Sequence, residues 1–86
     1  MKTNDKYLGW TNYETWNVIL WINNSEEFYF PIMDILNHFL NTPTYEEIIY
    51  LLGLDGVKTS DGVSFLDEKL NYEELNEAIE NMRVAS

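Results

Sequence analysis

Gly9-Trp10-Thr11-Asn12-Tyr13-Glu14-Thr15-Trp16-Asn17-Val18-Ile19-Leu20-Trp21-Ile22 is the stretch whose reading decides the fold. It holds every tryptophan of the chain and an unbroken apolar run from Val18 to Ile22. Thr11 followed three residues later by Glu14 has the form of a capping box, in which the two side chains satisfy each other's backbone N–H groups, and so predicts a helix opening near Asn12. Trp10, just before the cap, is placed for a staple contact with Thr15 or Trp16. Tyr13, Trp16 and Leu20 recur at i, i+3 and i+7, with Ile19 and Ile22 widening the same face, so this face is expected to meet the core. Trp16, Val18, Leu20 and Ile22 also alternate as a β-strand would. The capping box decides for helix, and the resulting element is expected to be the hub of the domain.

Asn23-Asn24-Ser25 closes that element, and Glu26 and Glu27 suit the positive end of a following helix dipole. Pro31 lacks a backbone donor and disfavours helical geometry at Phe30, so the second helix either starts near Pro31 or is longer and kinked there. Ile32, Ile35, Leu36, Phe39 and Leu40 then form a helical stripe, with Asn37 and His38 beside it. Asn41-Thr42-Pro43 breaks the chain. Thr44 and Glu47 make a second capping box ahead of Tyr45, Ile48, Ile49 and Leu52, and Gly53 fits the end of this short third helix. Val57-Lys58-Thr59 and Val63-Ser64-Phe65 flank Asp61-Gly62 as a small hairpin would, the alternative being an ordered loop. Asn71 and Glu74 repeat the cap signal, Leu75, Ala78, Ile79 and Met82 supply the stripe of a last helix, and Arg83 sits at its negative end. The expected fold is therefore a mostly α, four-helix-type single domain over residues 1–86, with a short β-hairpin as the α+β alternative and residues 1–9 as a partly flexible lead-in.

A chain of 86 residues and 10.2 kDa has room for one domain. So small a core must be aromatic-rich, and at 15% aromatic content it is, each buried ring removing roughly 150–250 Å² from water. The absence of cysteine excludes disulfides, thiolate metal sites and thiol nucleophiles. No signal-type apolar segment follows the polar start Met1-Lys2-Thr3-Asn4-Asp5-Lys6, and no long uncharged apolar run offers a membrane span, so a soluble cytoplasmic protein is expected. The net charge is −10 with only five Lys and Arg. Affinity for nucleic acid or anionic lipid comes from neutralising negative charge, so neither is an expected direct partner. An acidic domain is instead steered toward a basic protein surface, including one that ordinarily holds nucleic acid.

No catalytic set assembles from these residues. His38, the single histidine, has no local nucleophile or orienting acid and reads as a satisfied structural histidine. The carboxylate pairs Glu26/Glu27, Glu46/Glu47, Asp67/Glu68 and Glu73/Glu74 are adjacent in sequence and point in different directions on a helix, so they converge on neither a scissile bond nor a metal. Asp55 to Asp61 departs from an EF-hand loop in its spacing and lacks the closing Glu. No enzyme, metal or cofactor is expected. The surface with functional potential is the last helix, where Glu73, Glu77 and Glu80 share a face with Glu74 at its edge, as a partner-binding face or, alternatively, as an ordinary solvated one. With a rise of about 1.5 Å per residue, these four charges recur on average every ~3.5 Å, close to the ~3.4 Å between charges along one DNA strand. Trp10 and Trp21 complete the expected partner-binding set, because a domain this small does not readily enclose three indoles and a half-covered Trp is typical of interfaces.

Thr11-Asn12-Tyr13-Glu14-Thr15-Trp16, continued by Val18, Leu20, Trp21, Ile22 and Asn24, resembles the opening motif of short, mostly uncharacterised "NYETW" proteins of bacteriophages, plasmids and other mobile bacterial elements. Asp61-Gly62-Val63 and Asn71-Tyr72-Glu73-Glu74-Leu75 are broadly similar to the later part of that pattern, while Ser25 stands where it has an acidic residue. The resemblance brings no catalytic residue. It implies a phage-like protein of the bacterial host cytoplasm. Combined with the acidity, the expected function is a non-enzymatic inhibitor that binds and modulates a host protein, in the manner of anti-restriction or anti-CRISPR proteins. The alternative is a structural or assembly protein acting as a homo-oligomer.

Overall fold

A computed structural model describes residues 7–85, in which four helices follow one another: α1 (Tyr13–Asn24), α2 (Glu26–His38), α3 (Tyr45–Leu51) and α4 (Tyr72–Ala85). The mostly α fold class therefore holds. Of the expected flexible lead-in, residues 1–6 lie outside the described part. Tyr7 pairs with Trp10 in an isolated antiparallel bridge around a tight turn, with Leu8 and Gly9 both at positive φ.

α1 begins one residue later than the capping box implied. Asn12 is the N-cap, and its Oδ1 accepts from the Thr15 amide at 2.9 Å. The face turned inward is also rotated: Thr15, Val18, Ile19 and Ile22 are buried together with Asn17. Tyr13, Trp16 and Leu20 are not, so the core face assigned to them is corrected. Trp16 instead lies half-buried in an aromatic cluster with Tyr7 and Tyr13, at ring separations of 5.0 and 5.7 Å. Apolar spacing picks the wrong phase because two polar residues, Thr15 and Asn17, fill inward positions through hydrogen bonds described below.

Ser25 alone separates α1 from α2, accepting from the Phe28 and Tyr29 amides while its own N–H bonds Trp21 O. α2 runs through Pro31, which forfeits one helical hydrogen bond but keeps helical φ. Ile32, Met33 and Leu36 are buried. The helix stops at His38, and Phe39 turns extended at φ −96°, ψ 138°. Phe39 and Leu40 therefore leave the expected stripe, Leu40 being 88% exposed. His38 is exposed as well, its ring against Phe39, rather than a structural core histidine.

α3 carries the capping box in full: Glu47 N–H donates to Thr44 Oγ1 and Thr44 N–H donates to Glu47 Oε1. Past its end, Gly53 at φ +69° lets its own N–H reach Tyr50 O and the Leu54 N–H reach Ile49 O, the paired bonds of a Schellman motif. The hairpin is reduced to a single bridge, Lys58 to Ser64, within an ordered loop. That loop is packed on the helices, burying Val63, Phe65 and Leu70. Tyr45, fully buried, fixes it by donating to Phe65 O at 2.7 Å.

The hub is α4 rather than α1. α4 packs on α1, α2 and α3, whereas α1 packs on α2 and α4. Leu75 and Ile79 are fully enclosed on its inner side, among Val18, Ile22, Ile32, Ile48, Ile49 and Phe65. Everything on the outer side of α4 is thus held on the most widely supported element of the fold.

Candidate partner-binding surfaces

Two polar networks show how the distinctive motif is used. In the first, the starts of α1 and α4 cap each other. Asn71 Oδ1 accepts from the Glu74 amide as the cap of α4, while its Nδ2 donates to Thr11 Oγ1 at 2.9 Å and its N–H to Thr15 Oγ1 at 2.9 Å. Thr15 Oγ1 in turn donates to Asn12 Oδ1, and Asn12 Nδ2 donates to Lys69 O. Glu74 does not close a local capping box: its Oε1 accepts from the Thr11 amide at 2.9 Å.

In the second network Asn17 is fully buried. Its Nδ2 donates to Asp61 Oδ2 at 2.8 Å, and its Oδ1 accepts from the Thr59 hydroxyl at 2.7 Å. Thr59 Oγ1 also accepts from Val63 N–H, so the 59–63 turn is built around the amide. Trp21 Nε1 donates to the same Asp61 oxygen at 3.0 Å. The hydrogen bonds from Asn17 and Trp21, in that order, hold the exposed Asp61 carboxyl below its ordinary range.

Of the residues expected to bind a partner, Glu73, Glu77 and Glu80 are exposed on α4. Glu74 is half-buried and occupied with Thr11. The fully exposed carboxylates therefore lie about 6 and 4.5 Å apart along the axis, coarser than the ~3.4 Å strand spacing that all four would approach. Trp10 is half-buried against the core and lines a groove of about 290 Å³ with Gly9, Glu74, Glu77, Ala78 and Asn81. The structure thus brings Trp10, Glu74 and Glu77 together, with Glu73 and Glu80 on the same helix. Trp21 stands apart on α1, turned to Asp61.

A second surface escaped sequence reasoning. Phe39, Asn41, Pro43, Glu47, Tyr50 and Leu51 line a groove of about 510 Å³ between the end of α2 and α3. Phe39, Tyr50 and Leu51 are 42%, 60% and 57% exposed, so the groove carries three exposed large apolar side chains. The missed signal is the Asn41-Thr42-Pro43 break: a helix ending two residues earlier strands Phe39 and Leu40 outside the core. Phe39 also lines a second depression, of about 560 Å³, with Leu36, Asn37, His38, Leu40 and Arg83. Arg83 fastens it, donating to Leu40 O and Thr42 Oγ1, each at 2.6 Å. None of these lining residues is a carboxylate able to orient His38 for proton transfer. Among the described residues no group of three or more His, Asp or Glu is disposed to hold a metal ion, and no helix is long and apolar enough to cross a membrane.

The sequence model of a family of unknown function (DUF7249) matches residues 3–85, nearly the whole chain, and the chain belongs to that family. No curated protein and no solved structure matches it.

Proposed function

We propose that this member of the family is a phage-type, non-enzymatic protein of the bacterial cytoplasm that binds a basic surface of a host protein and modulates it. The single observation that carries this reading is the outer side of α4, where exposed Glu77 lines a groove with Trp10 and Glu74 while exposed Glu73 and Glu80 stand on the same helix. Carboxylates set beside an indole face suit Lys and Arg, which gain both ion pairing and cation–π attraction. With five Lys and Arg against fifteen Asp and Glu, the protein's own field steers it toward such a surface. In the finer form of the proposal, that host surface is one that holds nucleic acid, as in anti-restriction or anti-CRISPR inhibition.

The test is affinity capture from host lysate at low salt, with the Glu73→Lys/Glu77→Lys/Glu80→Lys variant alongside. A host protein should be retained by the wild type, released by several hundred millimolar salt and ignored by the variant, whose thermal melt stays cooperative. Retention indifferent to the reversals overturns the reading. The inhibitor form further requires that the captured protein's nucleic acid compete with this chain.

A second reading, assembly through homo-oligomers, is favoured by the partly exposed Tyr7, Tyr13 and Trp16 cluster. Sedimentation at rising concentration separates the two, a strictly monomeric protein excluding assembly.

A further inference from the structure

We infer that the groove between the end of α2 and α3 is a docking site for a short amphipathic helix of a partner protein, one bearing two apolar anchors a turn apart with Lys or Arg beside them. This surface is separate from the outer side of α4 and does not rest on the function proposed for it.

The walls are apolar, formed by Phe39, Pro43, Tyr50 and Leu51. Its volume of about 510 Å³ has room for side chains. From α3 the lining residues run from Glu47 to Leu51, about 6 Å at helical rise, which matches one turn of a docked helix and hence one i, i+3 or i, i+4 pair of anchors. Exposed apolar side chains of this size mark an interaction site when they are contiguous, and Tyr50 and Leu51 adjoin in chain while Phe39 faces the same space.

Charge selects the occupant. Glu47 is exposed and is the charged side chain lining the groove; the stretch from Asn41 to Val57 contains no Lys or Arg, and Arg83 from α4 is engaged with Leu40 O and Thr42 Oγ1. Glu47 is already oriented, because Thr44 N–H holds its Oε1 at 2.8 Å and leaves the other oxygen for a partner. A carboxylate fixed in advance loses little side-chain entropy on pairing. A second copy of this chain would bring its own −10 charge, and in a twofold contact through the groove its own Glu47, against the same carboxylate. A basic amphipathic helix meets the groove with opposite charge at the rim and apolar anchors in the middle.

The experiment is fluorescence anisotropy of three labelled 15-residue peptides against the full chain: a Leu/Lys amphipathic helix, its Leu/Glu counterpart, and a Ser/Lys peptide of the same charge. The Leu/Lys peptide should bind at least tenfold more tightly than either other. Tyr50→Ser/Leu51→Ser should weaken it at least tenfold. Glu47→Gln, which keeps an oxygen for the Thr44 N–H and removes the charge, should weaken it severalfold and flatten its salt dependence. Reversing Glu73, Glu77 and Glu80 should change it less than threefold, which separates this site from the α4 surface. Equal binding of the Ser/Lys peptide, or unchanged binding to both groove variants, overturns the inference. So does concentration-dependent self-association that Tyr50→Ser/Leu51→Ser abolishes, since a second copy would then fill the groove.

Discussion

Replacing Asn17 by Ala tests whether the buried polar network, rather than the apolar face alone, fixes how α1 sits. Asn17 is fully enclosed and makes hydrogen bonds of 2.8 Å to Asp61 and 2.7 Å from Thr59. Each contributes about 0.5–1.5 kcal/mol net, and a buried hydroxyl deprived of its acceptor costs a further ~1–3 kcal/mol. Thr59 is 5% exposed, so water does not readily replace that acceptor. The sum is ~2–6 kcal/mol, against a total of roughly 4–13 kcal/mol for a chain of this length. With a urea slope of about 1–3 kcal/mol/M, the midpoint should fall by ~1–2 M, and by ~4–8 °C in melting temperature per kcal/mol. Urea unfolding followed by circular dichroism reads this directly. Exposed Asn23→Ala on the same helix is the control and should move the midpoint little. In a cycle with Thr59→Ala the two changes should be coupled by at least ~0.5 kcal/mol. A midpoint shift below about 0.3 M, or a coupling near zero, refutes the network's role.

Four further outcomes follow from specific positions. Burial, with a smaller contribution from Tyr72, pushes the Tyr45 phenol far above its ordinary value. The folded chain then holds a proton that the unfolded chain releases above about pH 10, so stability should be full below that pH and fall as pH rises beyond it; in Tyr45→Phe that fall should flatten, at a cost of ~1–2 kcal/mol for the lost bond to Phe65 O. Asp61 has the opposite sign: its lowered carboxyl stabilises above the ordinary Asp range, and this is lost on acidification through the folded-state value, a loss that Asp61→Asn should remove from acid titration curves. Asn71→Ala removes both the cap of α4 and the bond to Thr11, and chemical denaturation should register a loss of ~1.5–3 kcal/mol. Gly53→Ala meets no neighbour within 4 Å but must hold φ +69°, so calorimetry should show only the backbone penalty of about 1–2 kcal/mol.

The helices were legible where the signal is local. Thr44 with Glu47, Gly53 after α3 and Asn71 before α4 all act as their sequence spacing predicts, because cap chemistry is decided within a few residues. The start of α1 was not. Thr11 and Asn12 are both good caps, and the choice falls to Asn12 because Asn71 and Glu74, some sixty residues away, engage Thr11 instead. The core face of α1 was misread for the same reason: Asn17 is inward only because Thr59 and Asp61 are there to meet it. The groove beside Phe39 depends on where α2 stops, and an apolar stripe running to Leu40 conceals that end.

The opening motif is therefore committed to folding, whereas the surfaces proposed to meet a partner lie elsewhere. Thr11, Asn12, Thr15 and Asn17 each have a hydrogen-bonding partner inside the chain, and those partners lie in the 59–74 region, so the motif ties the two ends of the domain together. A change there is paid in folding stability. Glu46, Tyr50, Leu51, Glu73, Glu77 and Glu80 face outward, where a substitution typically shifts stability by no more than ~0.5 kcal/mol. The fold can hold its shape while these positions are rewritten, and this is the property a partner-binding surface needs. If the motif were itself the partner site, Thr11→Ala and Glu77→Lys would lose binding alike with melting unchanged. The hydrogen bonds place the stability loss on Thr11 alone and leave Glu77→Lys to act on binding.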